Sequence, residues 1–215
     1  YNGTNSEATY TGTTAVGHNA QASAEDAVAI GKNANSSREQ AISINGTASG
    51  YSSIAIGTDS STDGSYGVAI GNSAHTERNY SVAIAFDSTA IGDMSIAIGN
   101  NSTASAYSSL AMGTGSSSSG NSSVAIGNRT SSSNLSAIAI GLDAQAAGSE
   151  SVAIGSNTNA NGTRNTAIGT NACRFVNGSN KTCIGANSGP SAGHVYSRAT
   201  DNYERIFIGS RSKFN

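Results

Sequence analysis

Residues 123–127 read Ser-Val-Ala-Ile-Gly, and the same five residues return at 151–155. Variants of this motif recur along the chain, and each ends on a glycine or on a residue that replaces it. Successive closing positions are 14 residues apart, except for one interval of 12 and one of 16. A fixed period over most of a chain predicts a repeat architecture. The closing residues are Gly17, Gly31, Asn45, Gly57, Gly71, Ala85, Gly99, Gly113, Gly127, Gly141, Gly155, Gly169 and Gly185.

Each motif alternates large and small side chains, as in Val28-Ala29-Ile30. A period of two with β-branched residues predicts a short β-strand. A second stretch with small residues two apart follows each glycine, for example at residues 19–22 and 143–146. Each repeat therefore predicts two short strands and two tight turns, which is one coil of an all-β parallel β-solenoid. About thirteen such coils, stacked about 4.8 Å apart, predict a rod of roughly 60 Å.

Two closing positions lack glycine, and their residues predict different local structures. Glycine supplies the positive φ of a tight turn, and asparagine is the residue best able to replace it, so Asn45 fits a turn. Ala85 does not fit, and an extra Thr-Ala-Ile-Gly sequence at residues 89–92 comes seven residues later. This half-period slip predicts an irregular coil between residues 85 and 92.

The composition excludes several classes of function. The chain has 215 residues with 11 basic and 13 acidic side chains, a net charge of −2 and 26 glycines. A near-neutral charge gives no reason to expect binding to nucleic acid or to an anionic membrane. No stretch approaches the roughly 18 apolar residues of a membrane span. Ile, Val, Leu and Phe make up only about 15 % of the chain, so an ordinary two-layer core is not expected.

A coil of 14 residues is narrow, which bears on how the chain is stabilised. Two large apolar side chains per coil bury too little area to offset roughly 1–2 kcal/mol of backbone entropy per residue. The sequence therefore predicts an obligate oligomer. We expect Val and Ile to fill the inside of the coil, because they would meet the small residues of the opposite strand. The smooth face of Ser, Ala and Gly would then pack against other copies of the chain. The alternative, which the sequence leaves open, is that Val and Ile line the axis of the oligomer.

The repeats resemble the YadA-like head of trimeric autotransporter adhesins, whose hallmark is a 14-residue repeat centred on Ser-Val-Ala-Ile-Gly. Residues 123–127 and 151–155 match that motif fully. The resemblance covers residues 13–189 and implies a left-handed parallel β-roll, a homotrimer and display at the bacterial cell surface, outside the outer membrane. It also implies multivalent attachment to host matrix proteins, host cells or other bacteria.

The same resemblance suggests a domain organisation. Residues 1–12 are expected to be an N-terminal lead-in, and residues 190–215 a cap or the start of a connector to a stalk. The neck, coiled-coil stalk and membrane anchor of the family are not in this sequence, so we expect it to be the distal head alone. In the final segment, Phe207 stands where the repeats have alanine.

The two cysteines, Cys173 and Cys183, enclose an enlarged turn within the 16-residue interval. In an extracellular protein this arrangement predicts a disulfide that closes a loop of about ten residues and contributes about 2–3 kcal/mol. The alternative is a pair of separate buried thiols.

Four tyrosines lie five or six residues before a closing position, so they should share one corner of the coils. Arg38 and Arg78 fall at the same corner. Aromatic and arginine side chains are common interface anchors, which makes this corner a candidate ligand-binding surface. The alternative is that each tyrosine only covers the edge of its coil. The tyrosines are Tyr51, Tyr66, Tyr80 and Tyr107.

Enzymatic activity is not expected, and no catalytic residue, metal site or cofactor is predicted. A solenoid glycan lyase or hydrolase needs converging carboxylates, whereas the acidic residues here are scattered over separate coils. His18, His75 and His194 share no metal-ligand spacing. A structural fibre segment of a phage or surface appendage is the main alternative to an adhesin head.

Overall fold

The computed structural model describes residues 4–174, 178–189 and 205–209, and within these ranges every regular element is a β-strand. The strands are β1 (Glu7–Ala8), β2 (Thr14–Val16), β3 (Gln21–Ala22), β4 (Val28–Ile30), β5 (Asn35–Ser36), β6 (Ile42–Ile44), β7 (Thr47–Ala48), β8 (Ile54–Ile56), β9 (Ser61–Thr62), β10 (Val68–Ile70), β11 (His75–Thr76), β12 (Val82–Ile84), β13 (Thr89–Ala90), β14 (Ile96–Ile98), β15 (Thr103–Ala104), β16 (Leu110–Met112), β17 (Ser117–Ser118), β18 (Val124–Ile126), β19 (Ser131–Ser132), β20 (Ile138–Ile140), β21 (Gln145–Ala146), β22 (Val152–Ile154), β23 (Asn159–Ala160), β24 (Thr166–Ile168), β25 (Lys181–Ile184) and β26 (Arg205–Ile208).

The chain divides into two compact units, residues 1–105 and 106–215. In the first unit the odd-numbered strands β1 to β15 form one parallel sheet, and the even-numbered strands β2 to β14 form another. The second unit repeats this arrangement, with β17, β19, β21 and β23 in one sheet and β16, β18, β20, β22, β24, β25 and β26 in the other. Paired residues are 14 apart, as in Val68 with Val82. The predicted parallel β-solenoid is therefore confirmed.

Alanine, serine and threonine fill the inside of the coils. The central residue of each even-numbered strand is buried, and Ala29, Ala69 and Ala125 have no exposed surface. The second residue of each two-residue strand from β3 to β23 is buried as well, for example Ser36 and Ala146. The two sheets of a coil thus face each other across side chains of one to three heavy atoms.

The expected orientation of Val and Ile was wrong. The residues that flank each central alanine point outward: Ile70 is 37 % exposed and Ile154 is 36 % exposed, even with neighbouring coils above and below them. A 14-residue coil leaves room between its strands for methyl and hydroxymethyl groups but not for branched four-carbon side chains. The small-residue face expected to contact other copies is therefore the interior, and the aliphatic face lies outside.

The serine that opens the motif closes the preceding turn. The Ser81 hydroxyl donates a hydrogen bond to the Arg78 carbonyl at 2.6 Å, and Ser95 donates to the Gly92 carbonyl at 2.6 Å. Ser151 makes the same bond to Gly148. The Gly92 and Gly148 carbonyls also accept the backbone N–H of the same serine, so the hydroxyl adds a second hydrogen bond that closes the turn.

The coil that contains Ala85 is regular, contrary to prediction. Residues 82–84 pair in register with 96–98, and Thr89 pairs with Thr103. The Thr-Ala-Ile-Gly sequence at 89–92 lies on the ordinary second strand of its coil. Ala85 itself adopts φ of 108°, close to the 111–138° range of the closing glycines, which is an unfavourable backbone conformation for a residue with a Cβ atom.

The 12-residue interval shortens one turn and leaves the ladders intact. Only Asn45 and Gly46 separate β6 from β7, and Asn45 has φ of 55°. Ile44 still pairs with Ile56, and Asn35 still pairs with Thr47. The deletion therefore changes one corner and preserves the register of both sheets.

The interior side chains become larger near the C-terminal end. Cys183 takes the place of the central alanine, pairs with Ala167, and forms a disulfide with Cys173 across 5.6 Å between Cα atoms. The predicted disulfide is present. Phe207 of β26 pairs with Cys183 and is 4 % exposed, so an aromatic ring covers the disulfide end of the interior. Of the predicted cap or connector at 190–215, residues 190–204 and 210–215 lie outside the described residues.

Candidate functional site

Three of the predicted tyrosines form one continuous contact on the first unit, which we call the tyrosine ladder (Tyr51, Tyr66 and Tyr80). The ring centroids of Tyr51 and Tyr66 are 5.7 Å apart in an edge-to-face arrangement, and those of Tyr66 and Tyr80 are 4.9 Å apart and stacked. The three side chains are 37 %, 45 % and 58 % exposed. They therefore present an aromatic surface to solvent rather than covering the interior, which is already closed by alanine.

Two rungs of this ladder occupy a costly backbone conformation. Tyr66 and Tyr80 have φ of 59° and 57°, in the left-handed region. Their backbone N–H groups donate to the carbonyls of Tyr51 and Ser65 on the preceding coil, which holds that conformation in place. An aromatic residue has no local hydrogen bond to compensate for such a φ, unlike asparagine or aspartate. The same turn position also has a positive φ in other coils, for example at Gln40, Ser52 and Met94, so this conformation is a property of the repeat and does not by itself mark the ladder as a site.

The remaining predicted site residues are placed differently. Tyr107 belongs to the second unit and is 50 % exposed. Arg78 lies in the same turn as Tyr80, and its guanidinium is 3.9 Å from a carboxylate oxygen of Asp93. Arg38 lines a groove together with Tyr51. The structure thus brings together Tyr51, Tyr66, Tyr80 and Arg38 in neighbouring coils, with Arg78 at one end.

The groove beside the ladder contains groups that the sequence interpretation did not assign. Its volume is about 650 Å³, and it extends across the first coils of the chain. We call it the acidic groove, because three of its charged lining residues are acidic and one is basic. Its main side chains are Tyr10, Glu25, Arg38, Glu39, Tyr51 and Asp63, and serines line the remainder.

A second surface feature, the aliphatic strip, follows the outer side of the even-numbered strands. It consists of the residues that flank each central residue, in β4 to β14 of the first unit and in β16 to β24 of the second, and most are Val or Ile. Monomeric soluble proteins rarely expose a contiguous apolar patch larger than a few hundred Å². The outer side of the odd-numbered strands is polar instead, with Gln21, Asn35 and Thr47 at equivalent positions.

An ion pair on the second unit links neighbouring coils. The Arg129 guanidinium donates two hydrogen bonds of 2.7 Å to the Asp143 carboxylate. The hydrogen bond from Arg129 lowers the pKa of Asp143, and the bond to Asp143 raises the pKa of Arg129. Both groups are fully solvated, so salt screens their attraction, and we assign this pair no part in binding.

The described ranges hold no group of three or more His, Cys, Asp or Glu side chains placed to bind a metal ion. His75 instead shares a hydrogen bond of 2.7 Å between its Nδ1 atom and the Ser61 hydroxyl. No helix in the described residues has the length and hydropathy that a membrane span requires.

Comparison with known proteins identifies the repeats. A family model described as the YadA head domain repeat matches residues 8–34, 48–74, 63–84, 85–105, 90–116, 104–130, 118–144, 132–158 and 146–172. Among solved structures, the collagen-binding domain of the Yersinia adhesin YadA is similar to this chain, with 29% sequence identity and a TM-score of 0.52. That match covers 55% of this chain and 68% of the other. A comparison with curated proteins finds no match.

Proposed function

The chain belongs to the YadA head domain family, and from this premise we propose that it is the head of a bacterial surface adhesin that works as a homotrimer. It is an adhesin-type head domain by family membership. The proposal adds its assembly, its location at the cell surface and its ligands. The observation that carries the proposal is the aliphatic strip.

The aliphatic strip supports a homotrimer. The strands β2 to β24 turn only small side chains to the interior, so the outward Val and Ile keep part of their surface in water unless another chain covers it. Full burial of one Val or Ile is worth about 1.5–3 kcal/mol, and covering the part that is still exposed, such as the 37 % at Ile70, adds a fraction of this for each side chain. Three strips that meet around one axis would remove these side chains from water, and the polar outer faces would then point to the surroundings.

The tyrosine ladder supports an adhesive surface on the first unit, with Arg38 beside it and Arg78 at one end. Tyr107 is the predicted site residue of the second unit. Aromatic rings and arginines are the side chains most enriched among binding hot spots. A trimer carries three copies of each site and a cell carries many trimers, so weak sites can give firm attachment through avidity. Since the similar Yersinia domain binds collagen by its description, collagen is the first matrix protein to test, ahead of host cells and other bacteria.

We propose that the head does no chemistry of its own and needs no cofactor. Its work is to hold a binding surface away from the cell. The repeated coils suit this task because each coil pairs with the next through the backbone, so that the outward side chains can vary without loss of register.

The experiment that tests the proposal measures binding of the purified chain to immobilised collagen. We expect the ladder variant Tyr51→Ser/Tyr66→Ser/Tyr80→Ser to bind about tenfold more weakly or worse, because it loses three aromatic anchors. The matched control is Leu135→Ser/Leu142→Ser, which removes exposed apolar side chains from the second unit and should change binding less than about twofold.

Circular dichroism and sedimentation check that both variants keep the fold and mass of the wild type. Unchanged binding by a folded ladder variant would exclude the ladder as the site. If the wild-type chain bound neither collagen nor any other matrix protein, nor host or bacterial cells, the adhesive function itself would be contradicted.

A further inference from the structure

The acidic groove differs from the rest of the surface in charge. Residues 1–105 hold nine acidic and three basic side chains, a net charge of −6, whereas residues 106–215 hold four acidic and eight basic ones, a net charge of +4. The overall charge of −2 conceals this division. The groove lies in the acidic part, and its own charged lining residues, Glu25, Glu39, Asp63 and Arg38, sum to −2.

Two of its carboxylates share one turn position. Glu25 and Glu39 lie on adjacent coils, since the residue after Glu39 donates its N–H to the Glu25 carbonyl at 3.0 Å. Both are exposed turn residues. Among the described residues neither glutamate forms a salt bridge, although Arg38 lines the same groove. Two carboxylates on adjacent coils therefore offer a cationic partner two charge-assisted hydrogen bonds.

Aromatic rings complete the groove at two places. Tyr10 lines it near the N-terminal end, and Tyr51 follows Glu25 and Glu39 in the same turn position on the next coil. A guanidinium or ammonium group over a tyrosine face gains a cation–π interaction that adds to its attraction to a carboxylate. Tyr51 also connects the groove to Tyr66 of the ladder.

We propose that the acidic groove binds an extended peptide segment rich in arginine or lysine. The inference rests on the proposed adhesive function and names the chemistry of one ligand site. The groove crosses five successive coils, from Tyr10 to Ser65, which at about 4.8 Å per coil is a length of about 19 Å. An extended peptide covers this length with about six residues.

The groove and the aliphatic strip use different side chains. The lining residues of the groove come from the turns that follow the odd-numbered strands and from residues just after those strands, such as Ser37 and Asp63. None of them flanks the central residue of an even-numbered strand. A ligand in the groove and a second chain on the strip would therefore contact different residues.

The test uses fluorescein-labelled, amidated hexa-arginine as the probe, with hexaglutamate and a neutral Gly-Ser hexamer for comparison. Fluorescence anisotropy with the full chain should show binding of hexa-arginine alone, and the affinity should weaken as salt is raised. The groove variant Glu25→Gln/Glu39→Gln/Asp63→Asn should bind about tenfold more weakly or worse.

The matched control is Asp59→Asn/Asp87→Asn/Glu150→Gln, which changes the net charge by the same amount at turn positions outside the groove lining. Each replacement tolerates the backbone of its site, since asparagine and glutamine occupy equivalent positions at Asn33 and Gln40. The control should bind hexa-arginine within about twofold of the wild type.

Three results would overturn the groove assignment: no binding of hexa-arginine, equal loss in both variants, or equal binding of the neutral peptide. Equal loss would mean diffuse attraction by the whole acidic unit. Binding of the neutral hexamer would mean that charge does not select the ligand. None of these results requires collagen binding or cell attachment to fail, so the groove and the proposed adhesive function are tested separately.

Discussion

The two outer faces of each coil have the same backbone and opposite chemistry. Both sheets are parallel, both repeat every 14 residues and both place small side chains inside. Outside, the even-numbered strands carry Val and Ile, whereas the odd-numbered strands carry Ser, Thr, Asn and Gln. The difference shows that the fold depends on the inward positions alone. The outward positions are free to specify assembly on one face and recognition on the other.

The largest effect is expected when charge is placed on the aliphatic face, which should prevent self-association. We expect Ile70→Asp/Ile84→Asp to abolish self-association, because each carboxylate would lose its water without a partner at a cost of about 3–5 kcal/mol. Light scattering should show the mass of a single chain, 21.3 kDa. The control Thr89→Asp/Thr103→Asp puts the same charges on the odd-numbered strands of the same unit and should leave the mass unchanged. A dissociating control would mean that both faces are interfaces.

A smaller loss of stability is expected when an interior side chain is enlarged. Ala97 has no exposed surface, so Ala97→Leu should overpack the coil and destabilise it by about 3 kcal/mol. Thr103→Leu introduces the same side chain on the outer polar face and should alter stability by less than about 0.5 kcal/mol. Thermal unfolding at one fixed chain concentration measures both, because the stability of an oligomer depends on concentration. Equal midpoints for the two variants would contradict the assigned interior.

Removal of the disulfide measures how much this bond contributes to the stability of the coil with the enlarged turn. Cys173→Ser/Cys183→Ser should lower the stability by about 2–3 kcal/mol, because the unfolded chain gains the freedom of an open loop of about ten residues. Both sulfurs lie inside the coil, so the unfolding midpoint should fall while the circular dichroism spectrum at low temperature stays the same. An unchanged midpoint would show that the disulfide adds nothing to the stacked coils.

The smallest expected change in stability comes from backbone conformation, and its sign differs between two nearby positions. Ala85→Gly should stabilise the protein by about 1 kcal/mol, because a φ of 108° is accessible to glycine without strain. Ala83→Gly, in the middle of β12, should destabilise it by about 1 kcal/mol, since glycine loses more entropy there and packs less well. Differential scanning calorimetry resolves the two shifts, and shifts of the same sign would argue against strain at Ala85.

The spacing of the motif was enough to predict the coils, the parallel strands and the position of the disulfide. It could not say which side of each strand faces inward, because alternation defines two faces without ranking them. The volume available inside a 14-residue coil decides this, and it admits Ala29 but not Val28 or Ile30. The motif-like sequence at residues 89–92 led to the wrong prediction of an irregular coil. Thr89 and Ala90 form the ordinary second strand of that coil, and the sequence alone does not distinguish this strand from an extra motif.

The candidate site was only partly accessible to sequence reasoning. Equal spacing from the closing positions placed Tyr51, Tyr66 and Tyr80 at one corner, and the structure brings their rings into contact. The groove was missed because acidic, aromatic and serine side chains alternate at the equivalent turn positions that line it, so no single residue type marks it in the sequence. One signal was present in the sequence: Glu25 and Glu39 are 14 residues apart, which puts two like charges in the same turn position of adjacent coils.

The most direct test of the account is sedimentation equilibrium of the chain at low micromolar concentration, with circular dichroism of the same sample. The account predicts a folded, β-rich species with three times the mass of one chain, 21.3 kDa, because the aliphatic strip must be covered. A folded, soluble monomer would contradict it, since the strip would then be stable in water and the proposed trimeric head would lose its physical basis.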